Sequence, residues 1–339
     1  MSEADELLRL AGRCMRCGFC RAPCPLFRST LSDGSTARGK LQTLLAILRG
    51  ELGRSRGAML RVFECTTCGA CAQVCPAGVR VEEVLEGARR SFLGELELPV
   101  HRWMVEATLS TGNPFAAEFE PSVRGEVVFF PGCTSHFRVR EIEDACLSLL
   151  ERTLGRVGVL RFCCGAPLLT FGGPAEELVD NNRRLLEGVE LVVAHCPTCT
   201  KVLRERYGAE ALHISQVLAE HGFEAELGVR AAYHDPCHLA RGCGVVEEPR
   251  EVLSAAGVEL VELEHSGRET ACCGAGGGLP VTFPELSAEL AKRRLEEAAS
   301  EVLLTFCPTC YLHLSRVAGE SLRVVDASVL LAGGAHEVR

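Results

Sequence analysis

The sequence predicts an α/β protein built from two duplicated halves, each around a parallel sheet, behind a mainly helical block dense in cysteine. Three observations carry that prediction. Two four-cysteine runs are confined to the first 75 residues, where few segments look like strands. From residue 126 onward, short apolar strands alternate with helical patterns, the signature of βαβ units. Corresponding landmarks in that part recur 104, 109 and 111 residues apart, so the repeat is a whole domain and not a solenoid unit.

Composition narrows the function classes. The chain has 339 residues, 47% hydrophobic and 24% charged, enough for about two domains with a sizeable core and unlike a disordered chain. No apolar run approaches the roughly 20 residues a membrane span needs. The opening MSEADELLRL is acidic and amphipathic, unlike a signal peptide. A net charge of −9 argues against a general nucleic-acid binder, and the sparse aromatics offer no stacking face. Twenty cysteines in a chain of this length point to metal binding in a reducing compartment, not to a secreted disulfide scaffold. A cytoplasmic location is expected, peripheral to the membrane through a partner.

Residues 1–98 are expected as the helical block. Ala37–Leu48 combines helix formers with apolar spacing and ends at Gly50 and Gly53, and residues 81–98 read as a second amphipathic helix. Residues 1–60 hold ten basic and five acidic side chains, which is ordinary solvated surface or a docking face for an acidic electron-transfer partner. A linker is expected over 99–125, with Gly112, Pro114 and Pro121 as breakers. The two halves are expected over 126–230 and 231–339. In the first, strands fall at Val127–Phe130, Val157–Phe162 and Leu191–Ala194; in the second, at Ala231–His234, Val258–Leu263 and Val302–Phe306. In these halves nearly every cysteine sits just after a strand, and functional groups of open α/β sheets collect beyond the carboxyl ends of strands.

The N-terminal runs read Cys14-x2-Cys17-x2-Cys20-x3-Cys24-Pro25 and Cys65-x2-Cys68-x2-Cys71-x3-Cys75-Pro76. These are two copies of the bacterial two-cluster ferredoxin run, in which the fourth cysteine ligates the other cluster. Cys14, Cys17, Cys20 and Cys75 would hold one cubane [4Fe–4S] cluster, and Cys65, Cys68, Cys71 and Cys24 the second. A pair of zinc sites is the alternative for CxxC spacing, disfavoured by two complete runs each ending in Cys-Pro.

The duplicated set reads Cys133-x29-Cys163-Cys164-x31-Cys196-x2-Cys199 and Cys237-x34-Cys272-Cys273-x33-Cys307-x2-Cys310. Eight and ten ligands use 18 of the 20 cysteines. Cys146 sits in a helical apolar run and reads as a core thiol; Cys243 reads as a loop thiol. The Gly274–Gly278 stretch follows Cys272-Cys273 directly, so close backbone approach to a cluster is a better reading than a nucleotide site. His195, His234 and His238 lie near ligands as structural histidines or proton donors, with weaker claims for His136 and His213. Arg138, Arg140, Lys201, Arg241 and Arg268 read as solvated surface or as contacts to an anionic substrate.

With these motifs the chain resembles the cysteine-rich CCG proteins, among them heterodisulfide reductase. Its layout is like the D-type subunit of that enzyme, a two-cluster ferredoxin module fused ahead of two CCG halves. The iron–sulfur subunits of glycolate oxidase and of anaerobic glycerol-3-phosphate dehydrogenase share the general plan. The resemblance implies an α/β fold of duplicated Rossmann-like CCG halves behind a helical two-[4Fe–4S] ferredoxin domain. It also implies two noncubane [4Fe–4S] clusters, one on Cys133, Cys163, Cys164, Cys196 and Cys199 and one on Cys237, Cys272, Cys273, Cys307 and Cys310, with a disulfide substrate between them. Zinc remains the alternative occupant of one CCG site. Implied partners are a small disulfide, such as the coenzyme M–coenzyme B heterodisulfide, and an electron donor, either a membrane cytochrome b or a flavoprotein subunit. The competing role is electron relay for a flavin-dependent glycolate, lactate or glycerol-3-phosphate dehydrogenase.

Overall fold

The computed structural model describes residues 2–96, 98–334 and 336; the part of the expected 81–98 helix that falls on Glu97 lies outside them. The chain forms two compact units, one of residues 1–106, 167–174 and 271–291, the other of residues 107–166, 175–270 and 292–339.

The first unit is helical. Glu3–Gly12 starts at a capping box in which Ser2 accepts from the Asp5 amide and the Asp5 carboxylate accepts from the Ser2 amide. Thr36 caps Ala37–Leu48 through Gly39, and the segment forms the helix its apolar spacing predicts. The amphipathic stretch from residue 81 is helical over Val81–Leu93, and a further helix occupies Pro99–Thr111. The stripes of Ala37–Leu48 and Val81–Leu93 bury Leu41, Leu44, Val84, Leu85, Ala88 and Phe92 in one core with Phe63. Each of the larger side chains contributes roughly 1.5–3 kcal/mol of burial.

Two later segments complete this unit through backbone approach. Gly277 stands at φ +63°, where a Cβ would overlap the Cys65 carbonyl oxygen. Gly172, at φ +82°, lies against the backbone of Arg89 and Arg90. Arg89 ties three strands of chain together, donating from Nε to the Val62 carbonyl at 2.9 Å, from one terminal nitrogen to Thr170 at 2.8 Å and from the other to Cys65 at 2.9 Å.

The second unit contains two four-stranded parallel sheets. One consists of β1 (Val127–Phe130), β2 (Gly158–Val159), β3 (Leu191–Ala194) and β4 (Ala211–His213); the other of β5 (Val229–Tyr233), β6 (Val258–Glu262), β7 (Val302–Thr305) and β8 (Arg323–Asp326). The orders are β2-β1-β3-β4 and β6-β5-β7-β8, so each sheet leaves its first strand to one side and returns on the other. That reversal opens a crevice at the carboxyl ends of β1 and β3, and again of β5 and β7. β1, β3 and β7 are almost wholly apolar, as strands covered on both faces require. Phe129, Val193, Tyr233 and Leu304 share one core with Ile142, Leu149 and Leu330 from the covering helices.

β2 is shorter than the Val157–Phe162 strand its composition suggests. Gly158 packs against the backbone of 123–125 and Val159 bridges antiparallel to Val123. Beyond it Arg161 turns to Glu143, at 2.9 Å, and Phe162 packs edge-on to Phe130 with centroids 4.7 Å apart. Leu160 still donates to the Phe129 carbonyl at 2.9 Å, and the Arg161 amide turns away to Ser122 Oγ at 3.0 Å, which ends the ladder there.

In the first unit, His101 Nε2 meets Thr282 Oγ1 at 2.6 Å, and the ring packs between Phe63 and Phe171. Burial, with a smaller push from the Arg89 charge, lowers its pKa to about 4. Between that value and the ordinary 6.5 the unfolded chain binds the extra proton, so this stabilisation is present above 6.5 and lost as pH falls toward 4. Lowering the pH from 7 to 5 should therefore lower the melting temperature of the cluster-loaded protein more in wild type than in His101→Gln, by about 2 °C or more. Equal slopes in the two proteins would contradict the assignment.

Candidate iron–sulfur sites

All twenty cysteines lie outside disulfide bonds. In the first unit, one pocket is lined by Cys65, Cys68 and Cys71 together with Cys24, and another by Cys14, Cys17, Cys20 and Cys75 with Cys71 at its edge. The fourth cysteine of each run thus faces the triplet of the other run. The two loops are copies in backbone as well as in sequence. Arg16 and Thr67, each two residues after the first cysteine, have φ of 60° and 53°; Gly18 and Gly69, each after the second cysteine, have φ of 87° and 74°. Left-handed backbone at two non-glycine residues costs roughly 1–2 kcal/mol each. It curls three sulfurs toward one centre, and the Thr67 amide donates to Cys65 Sγ and the Val79 amide to Cys75 Sγ, both at 3.4 Å.

Cys24 caps the helix Pro25–Thr30, with proline at the first helical position. Burial pushes its thiol up to about 11, against a smaller downward pull from the Lys40 charge, and drives Cys71 well above its ordinary range. A site of soft sulfur donors that resist ionising alone fits a group that brings its own positive charge, because a coordinating metal deprotonates a thiol outright.

The first duplicated set lies entirely in the second unit, all five thiols buried. Cys133 follows β1, Cys163 and Cys164 follow β2, and Cys196 and Cys199 follow β3. Sulfur contacts run continuously, Cys133 to Cys163, Cys163 to Cys164, Cys164 to Cys199 at 3.4 Å, and Cys199 to Cys196. Contacts with the neighbouring thiols lower Cys164 and Cys196 below the usual thiol range and raise Cys163 and Cys199 above it. Gly165 at φ 86° turns the chain after the paired cysteines. Asn182 then grips the Cys163 carbonyl at 2.9 Å, and Tyr207 Oη donates to the Cys164 carbonyl at 3.1 Å. Gly132, at φ +74°, leaves room beside Cys199, whose sulfur would lie 3.2 Å from a Cβ there. Five buried sulfurs in a continuous chain of contacts also fit a thiolate-bound cluster.

Of the second set, Cys237, Cys307 and Cys310 belong to the second unit and Cys272 and Cys273 to the first, all buried. Cys307 caps the helix Pro308–Val317, its sulfur accepting from the Cys310 amide at 3.4 Å. His234 lies with a ring nitrogen within 4.8 Å of Cys310 Sγ, and its Nδ1 accepts from Arg294 Nε at 2.8 Å. In the first unit Gly274, at φ 93°, repeats the turn of Gly165, and its amide donates to Cys272 Sγ at 3.4 Å. Gly276 and Gly277 meet the backbone of Thr66 and Cys65, so the glycines serve a close backbone approach.

Other residues singled out from the sequence have structural partners. His195 Nε2 meets Asp326 Oδ1 at 3.1 Å, both fully buried, and His213 Nε2 bonds the His195 carbonyl at 2.8 Å. His136 pairs with Glu143 at 2.8 Å, and His238 Nδ1 with Thr198 Oγ1 at 2.8 Å. Arg140 is bound to Glu120, Lys201 stands 3.8 Å from Glu205, Arg138 lies over Phe115, and Arg241 spans the carbonyls of Arg268 and Thr270. Cys146 is a core thiol with no exposed surface. Cys243 Sγ donates to the Pro197 carbonyl at 3.6 Å, and burial pushes its thiol up to about 11. Motif reading misses two residues near the clusters, Lys40 and Arg89. Each is charged yet occupies the apolar stripe of its helix, Arg89 among Val81, Val84, Leu85, Ala88 and Phe92. A charge at a core-spaced position is the signal that finds them.

Four clusters of four irons predict about 16 iron per chain, against about 12 with zinc in one CCG site. Cys164→Ala should cost about four of those irons, whereas Cys146→Ala and Cys243→Ser should cost none. Metal analysis of anaerobically purified protein reads both. Iron loss from Cys243→Ser equal to that from Cys164→Ala would redraw the ligand set.

Comparison with known proteins agrees with this geometry. A 4Fe-4S dicluster domain matches residues 11–79, and the cysteine-rich CCG domain matches twice, at 127–204 and 231–315. The chain is 33% identical to the B-type subunit of the fumarate reductase (CoM/CoB) of Methanothermobacter marburgensis, over 89% of this chain and 67% of that protein. It is 28% identical to the D-type subunit of the dihydromethanophenazine:CoB–CoM heterodisulfide reductase of Methanosarcina barkeri, over 92% of this chain and 90% of that one. An uncharacterised iron–sulfur protein of Methanocaldococcus jannaschii matches at 31%, over 91% and 68%. One dicluster domain followed by two cysteine-rich domains, in a chain that aligns with these relatives over most of its length, makes this protein a member of the CCG iron–sulfur family, to which these heterodisulfide reductase and CoM/CoB fumarate reductase subunits belong.

Proposed function

We propose that the chain is the disulfide-reducing subunit of a larger complex, with the coenzyme M–coenzyme B heterodisulfide as substrate. The observation that carries this reading is the completeness of both five-cysteine sets, since a simple relay has less need of ten ligands around a substrate gap. The ligand sets are those of the spacing: Cys14, Cys17, Cys20 and Cys75; Cys65, Cys68, Cys71 and Cys24; and the two CCG quintets. We read the halves 126–230 and 231–339 as copies of one Rossmann-like unit, which the matching strand orders and the left-handed Gly165 and Gly274 support. When bound, iron–sulfur clusters supply electrons one at a time, and cleaving R–S–S–R′ to two thiols consumes two electrons and two protons.

The chain's own residues do the rest. Parallel strands deliver Cys133, Cys196, Cys237 and Cys307 to the carboxyl ends of β1, β3, β5 and β7. Cys243, protonated and bound to a carbonyl, does not serve as an attacking thiol, which disfavours dithiol exchange. Among the described residues no helix is long and apolar enough to cross a membrane. The electron donor in this reading is therefore another protein, a cytochrome b or a flavoprotein.

Electron paramagnetic resonance of the oxidised protein with and without coenzyme M tests the reading. A thiol-dependent signal that disappears in Cys164→Ala or Cys273→Ala, with turnover abolished in both and the ferredoxin-type signals still reducible, is the expected result. A spectrum indifferent to thiols, together with retained turnover in either variant, leaves the relay role as the function.

A further inference from the structure

The pocket of Cys24, Cys65, Cys68 and Cys71 has a second property that spacing does not reveal. Two cations are buried beside it, Lys40 with 1% of its surface exposed and Arg89 with none. Lys40 lines the pocket, and its Nζ donates to the Ser35 carbonyl, the same oxygen to which Cys24 Sγ donates at 3.8 Å. Arg89 spends its donors on three backbone carbonyls, one of them that of Cys65 at 2.9 Å. Neither cation forms an ion pair among the described residues. The acids nearby have cations of their own, Glu64 with Arg61 at 2.7 Å and Glu82 with Arg80 at 3.7 Å. Glu86 acts on Arg89 through its field alone.

Burying a cation without a counter-charge is strongly unfavourable, and this unit does so twice. The missing anion is supplied if the pocket holds a cubane. Four thiolates around an oxidised core carry a net charge of about −2, and of about −3 after reduction. The two cations therefore balance the oxidised site and favour the electron that arrives. The other pocket lacks this pairing: its lining cation, Arg38, is bound to Asp33 at 3.0 Å, and Cys17 is exposed.

We propose that Lys40 and Arg89 are the counter-charges of the cluster held by Cys24, Cys65, Cys68 and Cys71 and set its reduction potential. This rests on the cluster reading of that pocket. They act on the reaction as positioning residues, through the cluster, and touch no substrate.

Redox titration of the full chain followed by electron paramagnetic resonance tests the proposal. The signal of this cluster is assigned first by its loss in Cys68→Ser. Lys40→Met and Arg89→Met should each make its reduction at least tenfold less favourable, a downward midpoint shift of about 59 mV or more for a one-electron couple. The cluster of Cys14, Cys17, Cys20 and Cys75 should not shift. Lys40→Arg and Arg89→Lys, which keep the charge, should stay near wild type. If Arg89→Met fails to load iron, Lys40→Met, which removes no bond between distant segments, decides the outcome. An assigned, fully loaded cluster whose midpoint is unmoved in Lys40→Met overturns the proposal. A wild-type protein with no signal that depends on Cys68 overturns the cluster reading instead.

Discussion

The structure depends on holding many sulfurs together, out of water and ionised. A buried thiolate is costly unless positive charge meets it, and five buried thiols in a continuous chain of contacts, as at Cys133, Cys163, Cys164, Cys196 and Cys199, multiply that cost. Contacts between the sulfurs push them in opposite directions, lowering Cys164 while raising Cys199. A metal centre of the kind proposed would remove the conflict by making ligands of these sulfurs. Folding of such a chain is then inseparable from assembly of its centres.

Local backbone geometry follows from this constraint. The turns that aim sulfur inward use left-handed residues at matching places, Arg16 with Thr67, Gly18 with Gly69, and Gly165 with Gly274. Cys-Pro recurs as the cap and first residue of a helix at Cys24, Cys196 and Cys307, which puts the sulfur at the positive end of a helix dipole. Parallel strands then bring the cysteine-bearing loops to the crevices where strand order reverses. Exposure is graded across the first unit. Cys17, with Met15 at 68% and Phe19 at 63% exposed, faces solvent, whereas Cys24 and Cys68 are buried. Redox groups of one unit are thus given different surroundings by the same cysteine pattern.

Much of this was legible in the residues, because each legible feature has a local cause. Cysteine spacing records loop geometry, apolar runs record strands covered on both faces, and the helix at Ala37–Leu48 follows from propensity and spacing alone. What could not be read depends on distant neighbours. The recruitment of 167–174 and 271–291 into the helical unit rests on glycines that permit backbone contact, at Gly172 with Arg89 and at Gly277 with Cys65. β2 is cut short by Val123 and by the turn of the Arg161 amide to Ser122. Lys40 and Arg89 were hidden for a related reason, since a charge on an apolar stripe is explained only by what faces it.

The most direct measurement addresses the proposed crossing of ligands between the two N-terminal runs, which the lining of the two pockets supports. In Cys24→Ser the expected result is damage to the cluster of Cys65, Cys68 and Cys71, with the Cys14, Cys17 and Cys20 cluster intact by electron paramagnetic resonance. Selective loss of the Cys14, Cys17 and Cys20 signal instead, with the other cluster unchanged, would contradict crossed ligation.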